Sequence, residues 1–174
     1  MTRPHLSLNR HLRRVDHLIR RHGCAVQFVA DRTGPSWAYS IGFESLDHPE
    51  VVVMGIDAAS ASHLLRGLWY VAASGSSPLP GRSTELELGG VRCAMIDVHP
   101  DHLREPSDLV LGAMRYWQHL GRCGGDRAYQ IVWSDPAGHL PWESAFDPRF
   151  ERFQPLLDSA GVRPHRWPGV ASLE

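Results

Sequence analysis

The chain has 174 residues, of which 43% are hydrophobic and 21% are charged, and its formal net charge is −1. This length and composition are typical of one globular domain over residues 1–174 and exclude an intrinsically disordered chain. The charge provides no basic surplus for nucleic acid or an anionic membrane, so we expect neither as a partner. The sequence contains no lysine, which excludes Schiff-base chemistry and a phosphate-loop lysine.

The first third of the chain predicts a helix followed by three strands. Apolar residues at helical spacing mark the helix, and Gly23 would end it. These apolar residues are Leu8, Leu12, Val15 and Ile19. Alternation over 24–30 and the segment WAYSIGF (37–43) predict two strands of a hairpin across the turn DRTGPS. The continuous apolar run VVVMGI (51–56) is typical of a strand buried on both faces.

The rest of the chain continues with mixed elements. Asp57 is a good N-cap for a second helix, and Gly89-Gly90 is a two-residue hairpin signal. The remaining predicted elements are strands at 84–88 and 91–98, a third helix at 108–120, a strand at 128–133 and a short terminal helix beginning at Asp147-Pro148.

The predicted order is therefore α-β-β-β-α-β-β-α-β-α, in which hairpins outnumber strand-helix-strand crossovers. This order favours an α+β fold with a mainly antiparallel sheet and helices packed on it. The opening α-β-β-β-α part is similar to flavin-reductase split barrels, so one version of the prediction has the sheet curled in a split-barrel-like way.

Three cysteines, Cys24, Cys93 and Cys123, are present in the chain. Their odd number and the absence of C-x-x-C spacing argue against a disulfide framework and a structural zinc site. The start of the chain lacks the apolar segment of a secretory signal, and no apolar run approaches the roughly 18 residues that span a bilayer. We therefore expect a cytoplasmic protein.

Polar and aromatic residues collect in three places near the ends of predicted strands. The places are YSIG (39–42) running into HPE (48–50), DVHPDH (97–102), and QIVWSD (130–135) followed by PWE (141–143).

The segments AYSIGF, HPEVVVMGI and YQIVWSDPAGHLPWE together resemble an uncharacterised bacterial family, domain-of-unknown-function 4262, with a family-like core over about residues 20–145. Where the family usually has threonine this chain has Ser40, which keeps the hydroxyl. The resemblance brings no known activity. The positions that it singles out are Tyr39, Ser40, Gly42, His48, Glu50, Gln130, Asp135, Pro141 and Trp142.

His48 and Glu50 are the candidate catalytic pair. A histidine before a proline is biased towards an extended conformation, and Glu50 two residues later would lie on the same side. A histidine that titrates near neutral pH beside a carboxylate suits general acid–base work. In the alternative interpretation, His48 hydrogen-bonds the loop and Glu50 accepts from a backbone amide. Ser40 is a poor nucleophile candidate because it lacks a G-x-S-x-G turn.

A ligand pocket is predicted between the 39–50 and 130–143 segments. Trp142 and Glu143 would supply a wall and a carboxylate at its rim, although tryptophan is also a common core residue. The candidate ligand-binding residues are Tyr39, Ser40, Gln130, Asp135, Trp142 and Glu143.

The segment DVHPDH nearly matches the metal-binding run H-x-H-x-D-H, with an aspartate at the first position. Both residue types bind zinc, iron or manganese, so Asp97, His99, Asp101 and His102 are weak metal candidates. The chain is too short for the large fold in which that run occurs. We therefore expect no metal, and capping or loop roles for these residues.

Three functions compete at this point. The first is a small-molecule-binding domain, or an enzyme that uses His48 and Glu50 in a pocket lined by Trp and Tyr. The second is a flavin- or deazaflavin-binding split-barrel oxidoreductase, in which the Ser40 hydroxyl and an arginine bind the cofactor phosphate. The third is a non-catalytic interaction module, such as an immunity or adaptor protein, that uses the basic first helix. A homodimer is compatible with each function.

Overall fold

The structure is a computed structural model, and it describes residues 4–31, 34–76, 80–104 and 109–160. The order of helices and strands is the predicted one, and the element after Asp147 is a 3-10 helix. The helices are α1 (Pro4–His22), α2 (Ala58–Ala73) and α3 (Leu111–His119). The strands are β1 (Ala25–Val29), β2 (Trp37–Ile41), β3 (Glu50–Met54), β4 (Gly81–Leu88), β5 (Val91–Asp97) and β6 (Ala128–Trp133). The 3-10 helices are Phe43–Leu46, Pro100–His102 and Pro148–Phe153.

Local signals at the ends of helices explain several of these bounds. Asp57 caps α2 by accepting from the N–H groups of Ala59 and Ser60 at 2.9 and 3.0 Å, as predicted. Gly23 follows α1 with a φ of 81°, which glycine adopts at no steric cost. The predicted start of the third helix at Asp108 and the side chain of Leu8 lie outside the described part of the chain.

The six strands form one sheet in the order β1-β2-β3-β6-β5-β4. Every neighbouring pair is antiparallel except β3 and β6, which run parallel. The fold is therefore α+β with a mainly antiparallel sheet, as predicted. The sheet is open, with β1 and β4 at its two edges, and it does not close into a barrel.

The helices cover both faces of the sheet. Alternate residues of β3 enter two different cores, since successive side chains of a strand point to opposite faces. Val52 and Met54 pack with α1 and α3, whereas Val51 and Val53 pack with α2. All four side chains are fully buried, which confirms the strand with two buried faces.

No helix in the described ranges combines the length and the apolar character needed to cross a bilayer. Cys24 and Cys93 are buried free thiols, and Cys123 is an exposed one. Burial raises the pKa of Cys24 and of Cys93 to about 12.

Candidate functional site

Glu50, the first residue of β3, places its carboxylate in the protein interior with no exposure to solvent. Four donors surround it. The Ser40 hydroxyl and the Phe43 N–H donate to Oε2 at 2.5 and 3.4 Å. The Gly42 N–H and the indole N–H of Trp117 donate to Oε1 at 2.8 and 3.0 Å. The carboxylate therefore joins the end of β2 and the start of β3 to helix α3.

The Ser40 hydroxyl also accepts from the N–H of Val51 at 2.8 Å, which directs its own hydrogen towards Glu50. Burial raises the pKa of Glu50, and the hydrogen bonds from Ser40, Gly42, Trp117 and Phe43 oppose that rise. With both oxygens occupied and no solvent access, this carboxylate is built to hold elements together. A ligand would reach it only after those bonds were broken.

His48 is also buried, with 5% of its surface exposed, and its ring lies between two aromatic rings. The centroids of Phe43 and Tyr129 are 5.3 and 5.2 Å from it. Nδ1 lies 2.6 Å from the carbonyl oxygen of Pro49, which can only accept, so Nδ1 carries the hydrogen. Nε2 is then a buried lone pair with no hydrogen-bond partner among the residues that the structure describes. Burial lowers the pKa of His48, and the bond to Pro49 opposes that change.

No hydrogen bond joins His48 to Glu50, and both residues belong to the described part of the chain. His48 bonds the loop and Glu50 accepts from backbone amides, which is the arrangement of the alternative interpretation.

Tyr39 and Gln130, two further residues of the predicted pocket, form hydrogen bonds with the backbone. The Tyr39 hydroxyl accepts from the N–H of Gly112 at 3.0 Å, and burial raises the pKa of Tyr39 to about 12. Gln130 donates to the carbonyl of Pro155 at 2.9 Å and accepts from the N–H of Leu157 at 2.8 Å. Gln130 therefore holds the chain that follows the last 3-10 helix against β6.

A cleft of about 700 Å³ lies elsewhere, between the first half of α2, the turn joining β4 to β5, and the chain after β6. Its walls are mainly apolar, and its apolar side chains include Ile56, Leu64, Leu88, Val91, Trp133 and Phe150. The polar side chains that line it are Ser60, His63, Arg92, Ser134 and Asp135. We call this space the α2 cleft.

Arg92 ties the edge hairpin to the chain after β6. Its two terminal nitrogens each donate to Glu143 at 2.8 Å, and one also donates to the carbonyl of Gly138 at 2.7 Å. Its Nε donates to Glu85 at 3.0 Å, and a second bond joins the same two side chains. These bonds engage all five N–H groups of the guanidinium. Arg92 and the backbone N–H of Leu140 lower the pKa of Glu143 to about 2.

Asp135 orders the loop that borders the α2 cleft. Its Oδ1 accepts from the N–H groups of Ala137 and His139, both at 2.9 Å, and its Oδ2 accepts from that of Asp147 at 3.0 Å. Burial raises the pKa of Asp135, but these bonds outweigh it and the pKa is lowered overall. Pro141 and Trp142 lie in the same loop and are partly exposed.

The DVHPDH residues are placed at the end of β5. Asp97 lies 3.9 Å from Arg127 and is largely exposed, and His99 caps a 3-10 helix by accepting from the N–H of Asp101 at 3.3 Å. His102 is buried with Nε2 3.1 Å from the carbonyl oxygen of Ser159. Among the residues that the structure describes, no three His, Cys, Asp or Glu side chains are grouped to hold a metal.

Asp135, a predicted ligand-binding residue, lies in the wall of the α2 cleft. Most of the other lining residues, including His63, Leu88, Arg92 and Phe150, are not among the predicted positions. The Gly89-Gly90 dipeptide predicts a hairpin, but it does not indicate that α2 packs beside the turn of that hairpin. That neighbourhood depends on the order of strands in the sheet.

Residues 18–147 match the family described as a domain of unknown function, DUF4262. This range is most of the chain and includes Glu50 with its four hydrogen-bond donors and the loop ordered by Asp135. No curated protein and no solved structure is significantly similar to the chain. The resemblance noted in the sequence is confirmed, and the chain belongs to the DUF4262 family.

Proposed function

We propose that this protein is a small-molecule-binding domain and that its ligand occupies the α2 cleft. The observation that carries the proposal is the cleft itself, at about 700 Å³ with mainly apolar walls. Ligand sites in proteins are typically concave, between about 300 and 1,000 Å³, and apolar with a few fixed polar groups.

The rigid support behind the cleft also favours binding. The indole N–H of Trp133 donates to the carbonyl of Met54 at 2.8 Å, which fixes the ring in place. Gln154 pairs with the backbone of Trp133 through bonds of 3.0 and 2.6 Å. The ring centroids of Phe150 and Trp133 are 6.0 Å apart, and the two rings pack in an edge-to-face arrangement. A wall fixed in this way loses little freedom when a ligand binds, so less binding energy is spent on ordering it.

The proposal is for binding without an assigned reaction. His48 and Glu50, the candidate acid–base pair, are not among the residues that line the α2 cleft. The carboxylates of Asp135 and Glu143, at the cleft and beside it, have lowered pKa values, which makes them weak proton acceptors at neutral pH.

The test fills the cleft with a larger side chain. Ala59 lines the cleft from an exposed position of α2, whereas its neighbour Ala58 is exposed and does not line it. We expect fragments that bind the wild-type chain and Ala58→Trp to lose at least about tenfold in affinity for Ala59→Trp. Protein-detected NMR with a library of neutral, cationic and anionic aromatic fragments measures this. Failure of every fragment, or equal binding to all three proteins, would overturn the proposal.

A further inference from the structure

Charge is distributed unevenly around the α2 cleft. Arg92 is the one arginine among the lining residues that the structure describes, and its donors are engaged by Glu85, Glu143 and the Gly138 carbonyl. With Asp135, this group holds one guanidinium and three carboxylates, a net charge of −2.

These carboxylates stay ionised at neutral pH. Hydrogen bonds from Arg92 lower the pKa of both Glu143 and Glu85. The pKa of Asp135 is lowered as well, because bonds from backbone N–H groups outweigh the effect of its burial. The net charge of −2 therefore persists at neutral pH, with Asp135 in the wall of the cleft and Glu85 and Glu143 beside it.

The start of α2, which borders the cleft, offers an anion little compensation. A helix N-terminus attracts anions through its free N–H groups. Here the Asp57 carboxylate already accepts from the N–H groups of Ala59 and Ser60 and from the Ser60 hydroxyl. Asp57 also adds a further negative charge at this end of the cleft.

From this arrangement we infer that the α2 cleft selects ligands with an aromatic or aliphatic body and a protonated amine, and disfavours carboxylates and phosphates. The inference rests on the proposed function and names its ligand class. An anion would have to displace Glu143 from a two-pronged contact with Arg92 to pair with the guanidinium. A cation meets the carboxylate of Asp135 and the aromatic side chains of Trp133 and Phe150, whose ring faces attract positive charge. Glu85 and Glu143 act on it from beside the cleft, through Arg92.

Three small ligands with one phenyl ring and different charges test the inference: 2-phenylethylamine, 3-phenylpropan-1-ol and 3-phenylpropanoate. Titrations followed by NMR use mildly alkaline buffer of low ionic strength, in which histidine side chains carry no charge. Two surplus negative charges roughly 10 Å from the charged group of the ligand, in water, should make the affinity for the amine about tenfold higher than that for the carboxylate. The alcohol is expected to lie between them.

A matched pair of variants identifies the source of the preference. Glu85→Gln removes one charge beside Arg92 from a side chain that is 52% exposed. Asp101→Asn removes one charge from a side chain that is 61% exposed, beyond the far end of β5. We expect Glu85→Gln to reduce the preference for the amine by about twofold to threefold, and Asp101→Asn to leave it unchanged.

The two proposals fail in different ways. Equal or tighter binding of 3-phenylpropanoate, abolished by Ala59→Trp, would overturn the inference and leave the binding site standing. An absence of binding by all three ligands and by the whole fragment library would overturn the proposed function.

Discussion

Replacing Glu50 by alanine removes the acceptor for four buried donors at once. The N–H groups of Gly42 and Trp117, at 2.8 and 3.0 Å, lose their acceptor, and the Ser40 hydroxyl loses the partner that orients it. A buried donor left unpaired costs about 1–3 kcal/mol, so the two N–H groups alone account for about 4 kcal/mol. That is a large fraction of the 5–15 kcal/mol by which domains are typically stable.

The assay is urea unfolding followed by tryptophan fluorescence, with the free energy of unfolding extrapolated to water. Glu50→Gln keeps the shape and one oxygen, and we expect it to lose about 2 kcal/mol, which stays measurable if the alanine variant does not fold. Glu87→Ala, an exposed change on β4, is the control and should stay within about 0.5 kcal/mol of wild type. A loss below about 1 kcal/mol for Glu50→Ala would refute the role assigned to the carboxylate.

Three other outcomes are expected. Burial lowers the pKa of His48, so the free energy of unfolding should fall as the pH drops below about 6.5, the pKa of histidine in the unfolded chain. The urea midpoint of His48→Phe should fall less over the same pH range. A Cβ at Gly112 would clash with the Tyr39 hydroxyl oxygen, so Gly112→Ala should destabilise the protein by about 2 kcal/mol. Gly67→Ala, which adds a methyl group in open space within α2, should stabilise it slightly. Equal urea midpoints for the two variants would contradict this expectation. A thiol reagent should modify Cys123 alone in the native protein and all three thiols in urea; native modification of a second thiol would contradict the burial of the other two.

Much of the fold was predictable because its signals are local. The run at 51–56 identified β3 through the apolar character of both faces, and Asp57 identified the start of α2 through its capping side chain. Gly89 and Gly90 have φ values of 62° and 80°, the positive values that a tight hairpin turn requires. Each of these features is decided by a few neighbouring residues.

The sheet order and the candidate site were not predictable in the same way. The parallel pairing of β3 with β6 joins segments separated by α2, the edge hairpin and α3, and no local pattern encodes it. The proximity of His48 and Glu50 in sequence suggested a pair, but the Glu50 carboxylate meets Trp117, which lies 67 residues away. The α2 cleft likewise depends on which strands become neighbours.

The position of β6 in the sheet has a consequence for synthesis of the chain. Of the six strands that the structure describes, β6 is the last to be made, yet it lies between β3 and β5 near the middle of the sheet. Until residue 133 leaves the ribosome, β3 and β5 each lack a neighbour, and the side chains of β3 are fully apolar after Glu50. An unpaired apolar strand is a template for pairing with other chains. Nascent chains that stop before β6 should therefore aggregate, and completion of the sheet by β6 should be a late event in folding.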